Sequence, residues 1–158
     1  MRILYFTRDY TTHDHRFLSA LAGTEHDVFS LRLEKRGAQR EDRPLPAGIQ
    51  QIVWEGGKEP VERKQYRKFS WKLKEVLAQV QPDLIHAGSV QTAALVTAMS
   101  GFQPLVTMSW GYDMLMDAES TSQMEKDTYQ TLKETSVFVC DCQAVANKAI
   151  AFGFGPDR

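Results

Sequence analysis

PDLIHAG at residues 82–88 and PLVTMSWGYD at residues 104–113 are the two segments that decide the fold of this chain. Each begins with proline, continues with a short apolar run typical of a strand, and ends in small or polar residues. If the two runs lie side by side in a parallel sheet, their carboxyl ends place His86 and the turn from Trp110 to Asp113 at one edge. Open α/β folds bind ligands at that edge, so we expect the functional site there.

The rest of the chain alternates between strand and helix patterns. The predicted strands cover residues 2–6, 28–31, 49–54, 84–86, 105–108 and 137–140, and helices fill the intervals except for a charged loop over residues 32–48. The longest predicted helix covers residues 61–80. Short apolar runs that alternate with helices predict a doubly wound parallel sheet, an α/β Rossmann-like fold forming a single domain over residues 1–158.

Composition narrows the class of protein. With 158 residues and 42% hydrophobic content, the chain is long enough for one domain with a real core. No apolar run approaches the roughly 20 residues that span a bilayer, and the amino end turns polar too soon for a secretory signal, which predicts a cytoplasmic protein. Cys140 and Cys142 are too close for an ordinary disulfide and lack a second pair for zinc, so we interpret them as packing thiols.

Charge is distributed unevenly along the chain. Residues 1–75 carry 15 basic and 11 acidic side chains, whereas residues 76–158 carry 4 and 9. On the basic helix, Trp71 points away from the apolar stripe, towards lysines that include Lys64 and Lys68, and we predict a peripheral contact with the inner face of a membrane. A solvated helix face is the alternative. The net charge of −1 and the lack of a recognised motif argue against nucleic acid.

The loop after the first strand, over residues 7–16, is rich in histidine, carboxylate and arginine. Asp14, His15 and Arg16 stand near the start of a helix, where backbone donors and a guanidinium can hold a phosphate or a sugar hydroxyl. The alternative is that Asp14 or Thr12 only caps the helix.

The same loop contains residue types that bind metal ions. His13, Asp14 and His15 are suitable ligand types, but adjacent positions rarely point at one ion, and a further ligand would have to come from His86. We therefore predict no metal and no cofactor.

Five residues at the predicted edge carry the site hypothesis. His86 can act as a base or a hydrogen-bond donor, and Asp113 can accept a proton or hydroxyl hydrogen bonds. Gly88 permits close approach of a ligand, Gly111 permits a sharp turn, and Trp110 offers a flat face to a sugar ring. The alternatives are a structural hydrogen bond for His86 and loop anchoring for Trp110 and Asp113.

Taken in order, these segments resemble a known family. The opening 31 residues, the segments at 82–87, 103–113 and 136–140, and a helix ending in FGF at 152–154 together resemble the amino-terminal domain of retaining glycosyltransferases of family 4, which have the GT-B architecture. The resemblance implies that this half binds a sugar or lipid-linked acceptor. A carboxyl-terminal Rossmann-like half then binds the nucleotide-sugar donor, and transfer needs no metal.

The resemblance also implies roles for single residues. His86 matches the histidine at the end of the family's fourth strand, near donor and acceptor, and is predicted to be catalytic together with Asp113. Gly111 and Asp113 match a His-Gly-x-Asp turn that lines the acceptor pocket, with Trp110 in place of the histidine. The first loop lacks the family's Gly-Gly pair, and Asp14, His15 and Arg16 stand there instead.

Two further expectations concern the chain as a whole. It stops near the point where the family pattern continues towards a pair of donor-binding glutamates, so we expect a fragment that is inactive alone. The main alternative is a free-standing small-ligand or regulatory module with flavodoxin-like topology. A metal-dependent hydrolase using His13, His15 and His86 is a third hypothesis.

Overall fold

A parallel sheet forms the centre of the computed structural model, which describes residues 1–35 and 41–157. Within those residues the sheet has six strands: β1 (Arg2–Thr7), β2 (Asp27–Arg32), β3 (Gln50–Gln51), β4 (Leu84–Gly88), β5 (Leu105–Met108) and β6 (Val137–Val139). The spatial order is β3-β2-β1-β4-β5-β6, and every pairing is parallel. The predicted doubly wound, Rossmann-like sheet is thereby confirmed. The predicted loop residues 36–40 and the terminal residue 158 lie outside the described residues.

This strand order separates two hypotheses. In flavodoxin-like sheets β1 lies between β2 and β3, whereas here β1 lies between β2 and β4, which is the order of dinucleotide-binding folds. The flavodoxin-like topology named as the alternative is therefore wrong. Strand β1 is the point at which the order of strands reverses, and ligands of such sheets bind at its carboxyl end.

Helices cover both faces of the sheet. They are α1 (Thr12–Ala22), α2 (Tyr66–Val80), α3 (Leu95–Ser100), α4 (Ser122–Glu134) and α5 (Gln143–Ala151). A short 3₁₀ turn at Arg63–Gln65 precedes α2, so the predicted helix begins as a tighter turn and becomes α-helical at Tyr66. Single π-helical turns, Val90–Ala94 and Asp113–Asp117, follow β4 and β5. Both turns stand at the carboxyl edge.

Successive side chains of β1 point to opposite faces of the sheet, and both faces are packed against other residues. Leu4 and Phe6 belong to a core cluster with α2 and α3, whereas Tyr5 points to the opposite face and packs with Leu18 of α1. Tyr5, Phe6 and Leu4 are fully buried. The sheet is thus covered on both faces, as the continuous apolar runs predict.

Strand β4 is longer than predicted. It continues for two residues beyond His86, because Gly88 pairs with Thr7 of β1 on one side and with Met108 of β5 on the other. His86 therefore lies in the middle of the strand. The first position past the paired residues is Ser89.

No helix within residues 1–35 and 41–157 has the length and apolar character that crossing a membrane requires.

Candidate functional site

A cavity of about 250 Å³ opens at the carboxyl edge of the sheet. Its walls come from the segments that follow β1, β2, β4 and β5, and comprise Thr7, Arg8, Asp9, Thr11, Asp14, Glu34, Ser89, Trp110, Tyr112, Asp113 and Asp117. The cavity thus stands beside β1, where the strand order reverses and where α/β folds bind ligands. The edge predicted from sequence does carry a cavity, but the residues that line it are only partly the predicted ones.

Asp113 is a buried anchor of the cavity wall. Its carboxylate accepts hydrogen bonds from the backbone N–H groups of Val90 (3.0 Å), Trp110 (3.1 Å) and Met114 (3.2 Å) and from the hydroxyl of Ser109 (2.6 Å). Burial raises the pKa of Asp113, and these hydrogen bonds oppose that rise. Because four donors already occupy the carboxylate, the arrangement corresponds to the loop-anchoring alternative.

Trp110 and Gly111 form the turn that precedes Asp113. Gly111 has a φ of 84°, a conformation that favours glycine, in agreement with the predicted sharp turn. The indole of Trp110 packs against α1, with ring centroids 5.0 Å from His13 and 5.7 Å from Phe17, and also lines the cavity. Helix α1 therefore fixes the orientation of this aromatic wall.

Asp14 closes the amino end of α1. It accepts hydrogen bonds from the backbone N–H (2.7 Å) and hydroxyl (2.6 Å) of Thr11 and from the hydroxyl of Tyr5 (3.1 Å). Thr11 accepts in return from the Asp14 backbone N–H at 3.5 Å, which completes a capping box. Burial raises the pKa values of both Asp14 and Tyr5. Asp14 lines the cavity, but it acts as the capping residue of the stated alternative, and the N-cap is Thr11 rather than Thr12.

His15 and Arg16 lie on α1 and do not line the cavity. The ring of His15 contacts that of Tyr10, with centroids 6.4 Å apart, and Arg16 is exposed. Because the capping box begins the helix at Thr12, these two residues belong to α1 and not to the loop in which the sequence places them. Their predicted contact with a ligand stays a prediction.

His86 is separated from the cavity. Its ring lies between Tyr5, at 5.3 Å between centroids, and Phe17, at 6.2 Å, and its Nε2 atom is buried without a hydrogen-bond partner among the described residues. Burial lowers the pKa of His86 to about 4, so the imidazole is neutral at neutral pH. The predicted placement at a strand end beside Asp113 is wrong, because β4 continues to Gly88.

Gly88 serves the sheet. A Cβ at this position would lie 2.9 Å from the carbonyl oxygen of Met108 on β5, closer than real Cβ contacts allow. Gly88 is buried and does not line the cavity. The sequence predicts that Gly88 allows a ligand to approach the backbone closely. In the structure it is strand β5 that approaches closely at this position.

Several cavity residues were not predicted from sequence. Asp9 and Asp117 bring carboxylates, Tyr112 brings a second aromatic ring, and Ser89 brings a hydroxyl just past the end of β4. The four-residue spacing of Asp113 and Asp117 is a signal that the sequence offers, since it places both residues on one turn. The strand end that places Ser89 at the edge is set by pairing in the sheet.

Arg8 is the one cation among the cavity-lining residues described. Its Nε donates to Oε1 of Glu34 at 2.5 Å, and Oε2 of the same glutamate accepts from the backbone N–H of Val61 at 2.8 Å. Glu34 is buried, with an exposed fraction of 1%. The guanidinium is thus held in an ion pair with a buried carboxylate.

The three histidines of the metal hypothesis do not converge. His13 contacts Trp110, His15 contacts Tyr10, and His86 lies under α1 against Tyr5. In the described part of the chain, no group of three or more His, Cys, Asp or Glu side chains is placed to hold a metal ion. The hypothesis of a metal-dependent hydrolase therefore has no set of ligands in the described residues to support it.

Comparison with known proteins gives the family. Residues 2–141 match the family described as "Glycosyl transferase 4-like". This chain belongs to that family. The match covers most of the chain and confirms the resemblance to family 4 glycosyltransferases drawn from the sequence segments. No curated protein sequence matches the chain significantly.

A solved structure supports the fold. The UDP-GlcNAc 2-epimerase from Methanocaldococcus jannaschii matches this glycosyl transferase 4-like chain with a TM-score of 0.64 and 14% sequence identity. The match covers 99% of this chain and 44% of the epimerase chain, so this chain spans less than half the length of that protein. At this identity the similarity concerns the fold, which is a Rossmann-like domain of the GT-B type.

Proposed function

We propose that this domain binds the acceptor of a glycosyltransferase in the cavity at the carboxyl edge of the sheet. The observation that carries the proposal is the composition of the wall at the point where the strand order reverses: carboxylates of Asp9 and Asp117 beside the aromatic rings of Trp110 and Tyr112. Carboxylates accept hydrogen bonds from sugar hydroxyls, and aromatic faces pack against sugar rings. Family membership supports the same function.

In this proposal the nucleotide-sugar donor belongs to a second Rossmann-like domain that faces the same edge. The resemblance to family 4 enzymes and the 44% coverage of a solved neighbour support this division. We therefore expect residues 1–158 alone to bind an acceptor without transferring sugar to it.

For His86 and Asp113, the two residues predicted to be catalytic, we propose supporting roles instead. Asp113 is surrounded by protein donors and fixes the turn between β5 and α4, so we propose a positioning role for it. His86 contacts Phe17, which contacts Trp110, so we propose that it supports the aromatic wall through that ring. Both residues then act on the acceptor through the cavity wall.

Titration of the ¹⁵N-labelled chain with glucose, galactose and N-acetylglucosamine tests the proposed site. We expect amide shifts at Asp9, Ser89, Tyr112 and Asp117, and weaker binding of the same sugars by Trp110→Ala. The matched control is Trp71→Ala, which removes an indole from the outer face of α2 and should leave the affinity unchanged. Shifts confined to another surface, or none with any of these sugars, would overturn the proposal.

We also propose a peripheral membrane contact through the outer face of α2. Trp71 is 63% exposed, and the Nζ atom of Lys74 lies 4.8 Å from the centre of its ring. Lys64 and Lys68, which the sequence also points to, pair with Glu62 and Glu55. These glutamates reduce the positive charge of the face, so the contact is expected to be weak.

A further inference from the structure

We propose that the acceptor group entering the cavity is an uncharged or amine-bearing sugar, and that the cavity rejects sugars carrying phosphate or carboxylate. This inference rests on the proposed acceptor-binding function and names its substrate class. Three observations support it: the cavity wall is rich in carboxylates, the backbone N–H groups there already donate to carboxylates of the protein, and the side chains still available suit a hydrogen-bond donor.

The charge of the wall is negative. The cavity is lined by one guanidinium, that of Arg8, and by five carboxyl groups, those of Asp9, Asp14, Glu34, Asp113 and Asp117. The guanidinium is held by one of these carboxylates, since Arg8 pairs with Glu34. Burial favours the protonated forms of Asp14 and Asp113. Even with both of them neutral, the remaining carboxylates outnumber the single cation. An anionic ligand therefore meets like charge in a partly desolvated site.

Backbone donors that would bind a phosphate are already occupied. Phosphate sites at this edge of α/β folds use N–H groups at helix starts and in the turns after strands. Here the N–H of Thr11, at the start of α1, donates to Asp14, and the N–H groups of Val90 and Trp110 donate to Asp113. The protein's own carboxylates thus stand where an anion of the ligand would otherwise bind.

The remaining groups suit hydrogen-bond donors. The carboxylate of Asp117 is half-buried and makes no hydrogen bond to another residue of the described chain, so it is available to a hydroxyl or an ammonium group. Trp110 and Tyr112 present aromatic surface beside it, and aromatic faces attract cations as well as sugar rings. A sugar amine gains from both features, whereas a sugar phosphate gains from neither.

Four probes of equal ring structure test the inference: glucose, glucosamine, glucose 6-phosphate and glucuronic acid, titrated into the labelled chain at low salt and at a pH where the amine is protonated. We expect glucosamine to bind at least as tightly as glucose, and the two anionic sugars to bind about tenfold or more weakly than glucose. Raising the ionic strength should narrow the difference, because salt screens the repulsion.

A matched pair of variants assigns the effect to the cavity. Asp117→Asn should reduce the discrimination between glucose and glucose 6-phosphate several-fold. Glu125→Gln removes the same charge from an exposed position on α4 outside the cavity and should leave the discrimination unchanged.

The outcomes separate the two proposals. If glucose and glucosamine bind at the cavity but glucose 6-phosphate binds equally well, the charge inference fails and the acceptor site stands. If Asp117→Asn and Glu125→Gln change the discrimination equally, selection by the cavity is also refuted. If none of the four sugars binds, the acceptor function itself fails.

Discussion

Single carboxylates decide the structure of the cavity wall. Asp113 and Asp117 are four residues apart on the same π-helical turn and both line the cavity, yet only Asp113 is surrounded by hydrogen-bond donors. The same residue type thus holds the loop in one position and faces the cavity in the other. Sequence spacing pairs these residues, but only their donors distinguish their roles.

The pair gives a direct test of anchoring. Asp113→Asn replaces one carboxylate oxygen with an NH₂ group that faces backbone N–H donors, so we expect the free energy of unfolding to fall by about 2 kcal/mol. Asp117→Asn makes the same chemical change at a half-exposed position and should alter stability by less than about 0.5 kcal/mol. Urea unfolding measures both. Equal effects of the two substitutions would contradict the anchoring role of Asp113.

His86 predicts a pH dependence of stability. Its pKa is about 4 in the folded state, against about 6.5 when unperturbed, so the unfolded state binds the proton more tightly. The free energy of unfolding therefore keeps its full value above pH 6.5 and decreases as the pH falls towards 4. We expect it to decrease by about 2 kcal/mol between pH 7 and pH 5.

Replacing the imidazole isolates this contribution. His86→Leu fills the apolar site between Tyr5 and Phe17 without a titrating group, so its free energy of unfolding should fall by about 2 kcal/mol less than that of the wild type over the same interval. His15→Gln, which removes a half-buried imidazole from α1, is the matched control and should keep the wild-type slope. An unchanged slope in His86→Leu would show that this histidine is not the titrating group.

At the scale of elements, the β4–β5 pairing sets the end of each strand and the place of the residues that follow. Gly88 is opposite Met108, and any side chain on Gly88 would meet the Met108 carbonyl oxygen at 2.9 Å. We expect Gly88→Ala to lower the free energy of unfolding by about 1–3 kcal/mol, because the strands must separate.

A second glycine serves as the control for that measurement. A Cβ at Gly23, after α1, would meet its nearest atom at an ordinary distance of 3.5 Å. Gly23→Ala should therefore be neutral or stabilise by up to about 1 kcal/mol through the unfolded state. If thermal unfolding shows equal effects of the two substitutions, close strand approach is not the reason for glycine at position 88.

The outer face of α2 predicts weak attraction to anionic vesicles. The double substitution Trp71→Ala with Lys74→Ala removes the exposed indole and the lysine above it, and we expect the bound fraction in co-sedimentation to fall about fivefold. Tyr129→Ala with Lys126→Ala removes an exposed aromatic and a lysine from α4 and is the matched control. Equal losses, or no binding by the wild type, would refute the contact.

For the whole molecule, three tryptophans report on three environments. Trp54 lies in the core, with 9% of its surface exposed, Trp71 faces solvent, and Trp110 lines the cavity. Because one sheet connects the core around Trp54 with the wall at Trp110, we expect single-tryptophan variants carrying either residue to unfold at the same urea concentration. Two distinct midpoints would contradict a single cooperative domain.

Much of the architecture follows from local pattern. Short apolar runs at residues 2–6, 84–86 and 105–108 predict strands, and the apolar spacing over residues 61–80 predicts the long helix. The segment order also indicates the glycosyl transferase 4-like family, which the match over residues 2–141 confirms. These features are readable because backbone conformation and side-chain periodicity depend on neighbouring residues.

The composition of the cavity required the folded structure. Pairing with β1 and β5 extends β4 past His86, which removes the imidazole from the edge and leaves Ser89 there. The backbone N–H of Val90, 23 residues away in sequence, joins the local donors that make Asp113 an anchor, whereas the carboxylate of Asp117 accepts no hydrogen bond from the described residues. Strand register, burial and donor placement arise from contacts across the fold, and so no local pattern contains them.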